Sequence, residues 1–135
     1  MSNLETVQGI YDAFGRGDIP AILATLADDV AWEAWDDNSA VRGGVPWMVE
    51  RHGRDAVAGF FEVVGQMEVV DFQVLNLMAG GDQVAASFIF EAKLPNHGGG
   101  HYRDEEIHLW TLDADGKVVG LRHYTDTAKH LAALR

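Results

Sequence analysis

The run from His101 to Asp126, HYRDEEIHLWTLDADGKVVGLRHYTD, narrows the possible folds of this chain more than any other stretch. Two segments of alternating side chains flank Asp115-Gly116, and an Asp-Gly pair in that setting is a strong hairpin signal. A two-residue loop there pairs Ala114 with Lys117. It then sets His108 against His123, Trp110 against Leu121 and Leu112 against Val119. Strand side chains alternate between faces, so these six share one face, with Glu106 and Thr125 next along it. That face is apolar near the turn and carries two imidazoles toward the open end. Either it lines a pocket or it is a core that ends at solvent. The opposite face presents Ile107, Leu109, Thr111, Arg122 and Tyr124.

The rest of the chain supplies helices to cover such a sheet. Ser2 and Glu5 form a capping-box pattern, and Leu4, Val7, Ile10, Tyr11 and Phe14 follow at helical spacing. Gly15 and Gly17 end that helix. Asp18 can cap a second, with Pro20 tolerated in its first turn. VAWEAW (residues 30–35) reads as a strand with Val30, Trp32 and Ala34 on one side. Residues 36–52 read as a loop, unusually greasy at Trp47 and Met48. A third helix covers residues 54–66, and strands follow at 69–79 and 83–94. Residues 127–134 form a short terminal helix capped by Thr125 or Asp126. Helices first and consecutive hairpins afterwards argue an α+β fold with a largely antiparallel sheet, in one domain over residues 1–135.

Composition excludes several function classes. With 47% hydrophobic and 10% aromatic residues, the chain is built to fold around a core. A net charge of -11 argues against nucleic acid or an anionic membrane as partner. The absence of cysteine removes disulfides, thiolate catalysis and cysteine-based zinc sites. The first residues carry no basic segment followed by an apolar run, so a cytoplasmic location is the default expectation. The triple glycine at 98–100 lacks the order of a phosphate loop, and there is no G-x-S-x-G elbow. His97 and His101 flank it, without a spacing diagnostic of a metal.

Three phrases carry a family resemblance: YDAFGRGDIPAILATLADDVAWE, HGRDAVAGFFEVV and DGKVVGLRHYTD. Together they resemble the SnoaL-like and ketosteroid-isomerase-like proteins of the nuclear transport factor 2-like superfamily, over nearly the whole chain. The resemblance implies a cone-shaped α+β barrel. In it a curved mixed or antiparallel sheet wraps around three helices of the N-terminal half and encloses an apolar pocket. It also implies homodimerisation through the outer sheet face. In the steroid isomerases a first-helix tyrosine and an acid on the penultimate strand bind an oxyanion, while a carboxylate ending the first strand moves the proton. Matching motifs without gaps puts those positions at Ile10, His108 and Ala34. The tyrosine and the base are thus absent from their usual places, with Tyr11 one residue off. Dehydratases of the superfamily, which use two pocket histidines, are the nearer parallel.

The candidate catalytic residues are therefore His108 and His123, with Glu106 and Asp36 as carboxylates on matching parity. Imidazole titrates near neutrality and suits general acid–base work, while two adjacent imidazoles resist both becoming charged. The bland alternatives are histidines that only shape the pocket, a solvated Glu106 in the acidic run, and a turn carboxylate at Asp36. Tyr11, Trp32, Phe60, Phe61, Phe88, Phe90 and Trp110 are the candidate substrate-binding residues, each also a plausible core residue. The indole N–H groups of Trp32 and Trp110 need partners if buried, and a ligand oxygen is one such partner. The expected function is isomerisation, cyclisation or dehydration of a small hydrophobic, oxygen-bearing molecule, without cofactor or metal. A non-catalytic module binding the same ligand class is the alternative.

Overall fold

A computed structural model describes all 135 residues. The hairpin is present, and its long arms pair as expected: His108 faces His123, Leu109 faces Arg122 and Trp110 faces Leu121. Its turn differs. Leu112 pairs with Val118 rather than Val119, and Asp113 and Lys117 close a wider loop through Asp113 N–H to Lys117 O. The Asp113 carboxylate accepts from the amides of Asp115 and Lys117, which favours that loop over a two-residue turn. One extra residue, Val119, is then accommodated as a bulge. The wider loop and the bulge shift the register in opposite senses, so the histidine pair survives.

The elements follow the expected order. Helix α1 (Asn3–Gly15) starts with the Ser2–Glu5 capping box, both reciprocal bonds being formed. Helix α2 (Ile19–Leu23) is capped by Asp18, with Pro20 in its first turn. Strand β1 (Leu26–Trp32) begins and ends earlier than the apolar run suggests. The cause is Glu33, whose φ of 58° lies in the left-handed region and breaks the alternation. Ala34 therefore does not continue the inward row of Val30 and Trp32.

Residues 36–52 are more structured than a loop. Helix α3 (Ser39–Arg42) is capped by Asn38, a 3-10 turn spans Pro46–Met48, and strand β2 (Arg51–His52) pairs with β1. Helix α4 (Arg54–Gly65), strands β3 (Glu68–Gly80), β4 (Gln83–Leu94), β5 (Gly100–Leu112) and β6 (Val118–Tyr124), and helix α5 (Thr127–Ala133) complete the chain. Asp126 sits at the cap position of α5, but its side chain makes no capping bond.

The six strands form one sheet in the order β2-β1-β6-β5-β4-β3. Only β1 and β6 run parallel, so the sheet is mixed. It curves around α1, α2 and α4, which matches the nuclear transport factor 2-like cone. One core cluster joins α1, α2, β1 and the turn end of the hairpin; a second joins the Pro46–Met48 turn, β4, β5 and α5. No helix is long and apolar enough to cross a membrane.

Helix α5 closes onto the start of β5 with no room between them. A Cβ on Gly100 would collide with the carbonyl oxygen of Ala133. Gly100→Ala is expected to lift the end of α5 and lower stability by about 1–3 kcal/mol, as overpacking does. Thermal unfolding of the variant measures this, and an unchanged midpoint would show that the helix end moves freely.

Candidate functional site

Strand β5 brings the polar residues of the site into one row. Tyr102, Asp104, Glu106, His108, Trp110 and Leu112 alternate onto its inner face, and all but His108 are buried. His108 is less enclosed because it faces a cavity of about 70 Å³ between the sheet and the helices, several times the ~10–15 Å³ that one water needs. Eighteen residues line this cavity and fifteen are hydrophobic; the other three are Glu106, His108 and His123. Tyr11, Trp32, Phe60, Phe61, Phe88, Phe90 and Trp110 all contribute to its wall. Asp36 does not: it is exposed in a turn, because the strand stops at Trp32.

Tyr11 belongs to the site rather than only to the packing of α1. Its hydroxyl lies 2.7 Å from Nδ1 of His108 and accepts the indole N–H of Trp110 at 2.9 Å. An indole N–H can only donate, so the phenol hydrogen is free to point at His108. His108 Nδ1 then accepts, and its proton resides on Nε2, an assignment made from the bonding network. Burial raises the phenol pKa well above its ordinary value, with the Trp110 bond opposing, so Tyr11 stays protonated.

His123 is enclosed by two carboxylates. Its Nε2 lies 2.5 Å from Oε1 of Glu106, and its Nδ1 lies 3.2 Å from Oε1 of Glu33. Burial alone would push its pKa down, but the two carboxylates outweigh burial and raise it to about 10. Burial would likewise push Glu106 up; His123 and His130 instead hold it at about 2. His108, 4.5 Å from His123 between ring centroids, is driven well below 6.5 by burial and by the neighbouring imidazolium. The pair thus divides into one charged and one neutral ring. Phe88 packs against both.

Three site residues escaped the sequence reading. Glu33 points inward only because of its left-handed backbone, one residue from the matched base position. Asp104 continues the parity of Glu106 and could have been found by extending that row. His130 carries no such signal. It reaches the site from α5, where Nε2 lies 3.0 Å from both Asp104 Oδ2 and Glu106 Oε2. Trp47 donates its indole N–H to Nδ1 of His130 at 2.8 Å. That bond places the His130 proton on Nε2, where it is shared between the carboxylates. Asp104, Glu106 and His130 are close enough to hold a metal ion. However, a nitrogen that carries a proton has no lone pair for a metal, so the trio fits a hydrogen-bond relay better. His101 pairs with Glu91 at the surface, and His97 lies edge-on to Trp47, so they do not join a common site.

A model of the SnoaL-like domain matches residues 7–121. No curated protein matches the chain in sequence. Among solved structures, a nuclear transport factor 2-like protein of unknown function from Burkholderia pseudomallei is 25% identical, with TM-score 0.78, covering 99% of this chain and 98% of that one. Another nuclear transport factor 2-like protein, from Burkholderia thailandensis, reaches TM-score 0.82 at 23% identity, covering 100% of this chain and 98% of that one. A delta 5-3-ketosteroid isomerase from Mycobacterium sp. superimposes with TM-score 0.72 at 19% identity, covering 96% and 97%.

The charge on His123 makes stability pH-dependent. Its pKa is about 10 when folded, against 6.5 as the reference for the unfolded chain. The stabilisation is therefore complete below pH 6.5 and is lost as pH rises toward 10. Urea midpoints are expected to fall across that window. In Glu33→Gln the His123 titration, followed by nitrogen-15 NMR, should move down toward neutrality. A titration unchanged in Glu33→Gln would show that Glu106 alone holds the charge.

Proposed function

The chain belongs to the SnoaL-like family, and on that premise we propose that it is an enzyme acting on a small, hydrophobic, oxygen-bearing substrate. The single observation that supports this most is the neutral His108 on the cavity wall. Its Nδ1 is occupied by Tyr11, and no protein group bonds its Nε2. An Nε2–H aimed into an apolar cavity is suited to polarising a carbonyl oxygen. Charge developing on that oxygen would be met by this N–H. Such fixed donors in a water-poor site are effective because they need no reorganisation as charge develops.

The carboxylates do not supply a strong base. Both oxygens of Glu106 are engaged by histidines, and its low pKa makes it a poor proton acceptor. Glu106 and Glu33 hold His123 in place and keep it charged. The chemistry best suited to this arrangement activates a carbonyl while the substrate provides its own nucleophile or leaving group. Cyclisation or dehydration fits that description better than the proton transfer of a steroid isomerase. The lack of a free base also favours the second reading, a module that binds the same ligands without turnover.

Replacing His108 tests the enzyme reading. His108→Phe keeps the ring packing against Phe88 and removes the donor. Turnover of a carbonyl substrate is expected to fall about 10²–10³-fold, the usual effect of losing one such donor. Unchanged turnover would sink the catalytic role. A wild-type protein that binds carbonyl ligands but converts none would favour the binding module.

The outer sheet face supports a proposal about assembly. Ile107 and Tyr124 on the hairpin and Met78 on β3 are large apolar side chains that remain exposed. Trp35 packs against Tyr124 at 4.6 Å between centroids, and the Arg122 guanidinium lies over Trp35. An apolar and aromatic face of this kind suits a second copy of the chain. Light scattering is expected to find a wild-type dimer and a Tyr124→Glu monomer; a wild-type monomer at micromolar concentration would refute the proposal.

A further inference from the structure

Trp32 lines the same cavity. The side chain is 2% exposed, and its indole Nε1 is buried with no hydrogen-bond partner. The contrast with its neighbours is informative. Trp110 donates to Tyr11, and Trp47 donates to His130, so both of these buried indoles are satisfied. Leaving such a donor unpaired is costly, and buried exceptions call for a partner or a function. Trp32 cannot simply be repacked, because its ring is wedged against Phe60, Phe61 and Trp110.

The Trp32 ring lies 5.7 Å from that of Trp110, and His108 lies 5.5 Å from the same ring. Trp32 and His108, each with an N–H that no protein group accepts, therefore both pack on Trp110 and both line the cavity. The surrounding wall is almost entirely aromatic and aliphatic, which suits a flat ring system rather than a polar chain.

We infer that the cavity selects flat carbonyl compounds carrying two acceptor oxygens at separate points of the ring, one bonded by His108 Nε2–H and the other by Trp32 Nε1–H. This inference rests on the reading of the cavity as a ligand site, and it adds the second oxygen as the specificity element. Trp32 is a binding residue in this scheme, while His108 serves both binding and carbonyl activation. The physical basis is asymmetric. A ligand with one oxygen leaves the Trp32 donor as unsatisfied as before, whereas a ligand with two removes that penalty.

The test compares two bicyclic probes, 1-tetralone with one carbonyl and 1,4-naphthoquinone with two. The absence of cysteine removes the thiols that would otherwise add to the quinone. Calorimetric titration of wild type and Trp32→Phe gives four affinities. Trp32→Phe is expected to weaken naphthoquinone binding roughly 5- to 100-fold more than tetralone binding. In the wild-type protein, the indole N–H resonance of Trp32 should shift downfield with naphthoquinone and not with tetralone, a readout that does not depend on the variant folding. Equal weakening of both probes, or an indole resonance unmoved by the quinone, would overturn the inference while leaving the cavity reading intact. Failure of both probes to bind wild type would overturn the two together.

Discussion

The ion pair on which this site depends is the buried imidazolium of His123 between the carboxylates of Glu33 and Glu106. Two carboxylates cannot be taken out of water at adjacent positions without a cation between them. Three otherwise unrelated features then share one cause. Glu33 is held in a left-handed conformation that costs a non-glycine residue about 1–3 kcal/mol. Its backbone amide is fixed to Leu121 and its carboxylate meets His123, so the surrounding structure enforces the strain. Glu106, in a run of acids, turns inward rather than to solvent. His130 on the last helix then satisfies the second oxygen of Glu106 and ties α5 to the site.

The charge on His123 also decides what His108 can do. Two equivalent imidazoles would compete for one proton. Here the carboxylates settle that competition, and the neighbouring charge with burial keeps His108 neutral. The Tyr11–Trp110 chain then fixes which nitrogen of His108 bears hydrogen. The result is a neutral donor facing an apolar cavity.

Much of this was legible along the chain. Alternation across β5 and β6 placed Glu106, His108, Trp110 and His123 on one face, and all line the cavity. The seven apolar candidates do so as well, because inward parity on a curved sheet and the buried stripe of α4 converge on the same space. The misses were of another kind. Parity carried through Glu33 pointed to Ala34 and Asp36, since a backbone reversal at a single residue leaves no periodic trace. Tyr11 looked like packing because its partners, His108 and Trp110, are about a hundred residues away. His130 looked like one position on a short terminal helix.

The sequence by itself determined the main helices and long strands, their order, the register of the hairpin arms and the aromatic character of the cavity wall, because these follow from local periodicity, capping and turn chemistry; the short elements within residues 36–52 it did not. Even there the register survived only because the Asp113 loop and the Val119 bulge offset each other. Which histidine is charged, which tautomer the other adopts and which carboxylates are buried were decided by the tertiary structure alone. Protonation depends on distances between groups brought together from α1, β1, β5, β6 and α5, and no local pattern encodes those distances.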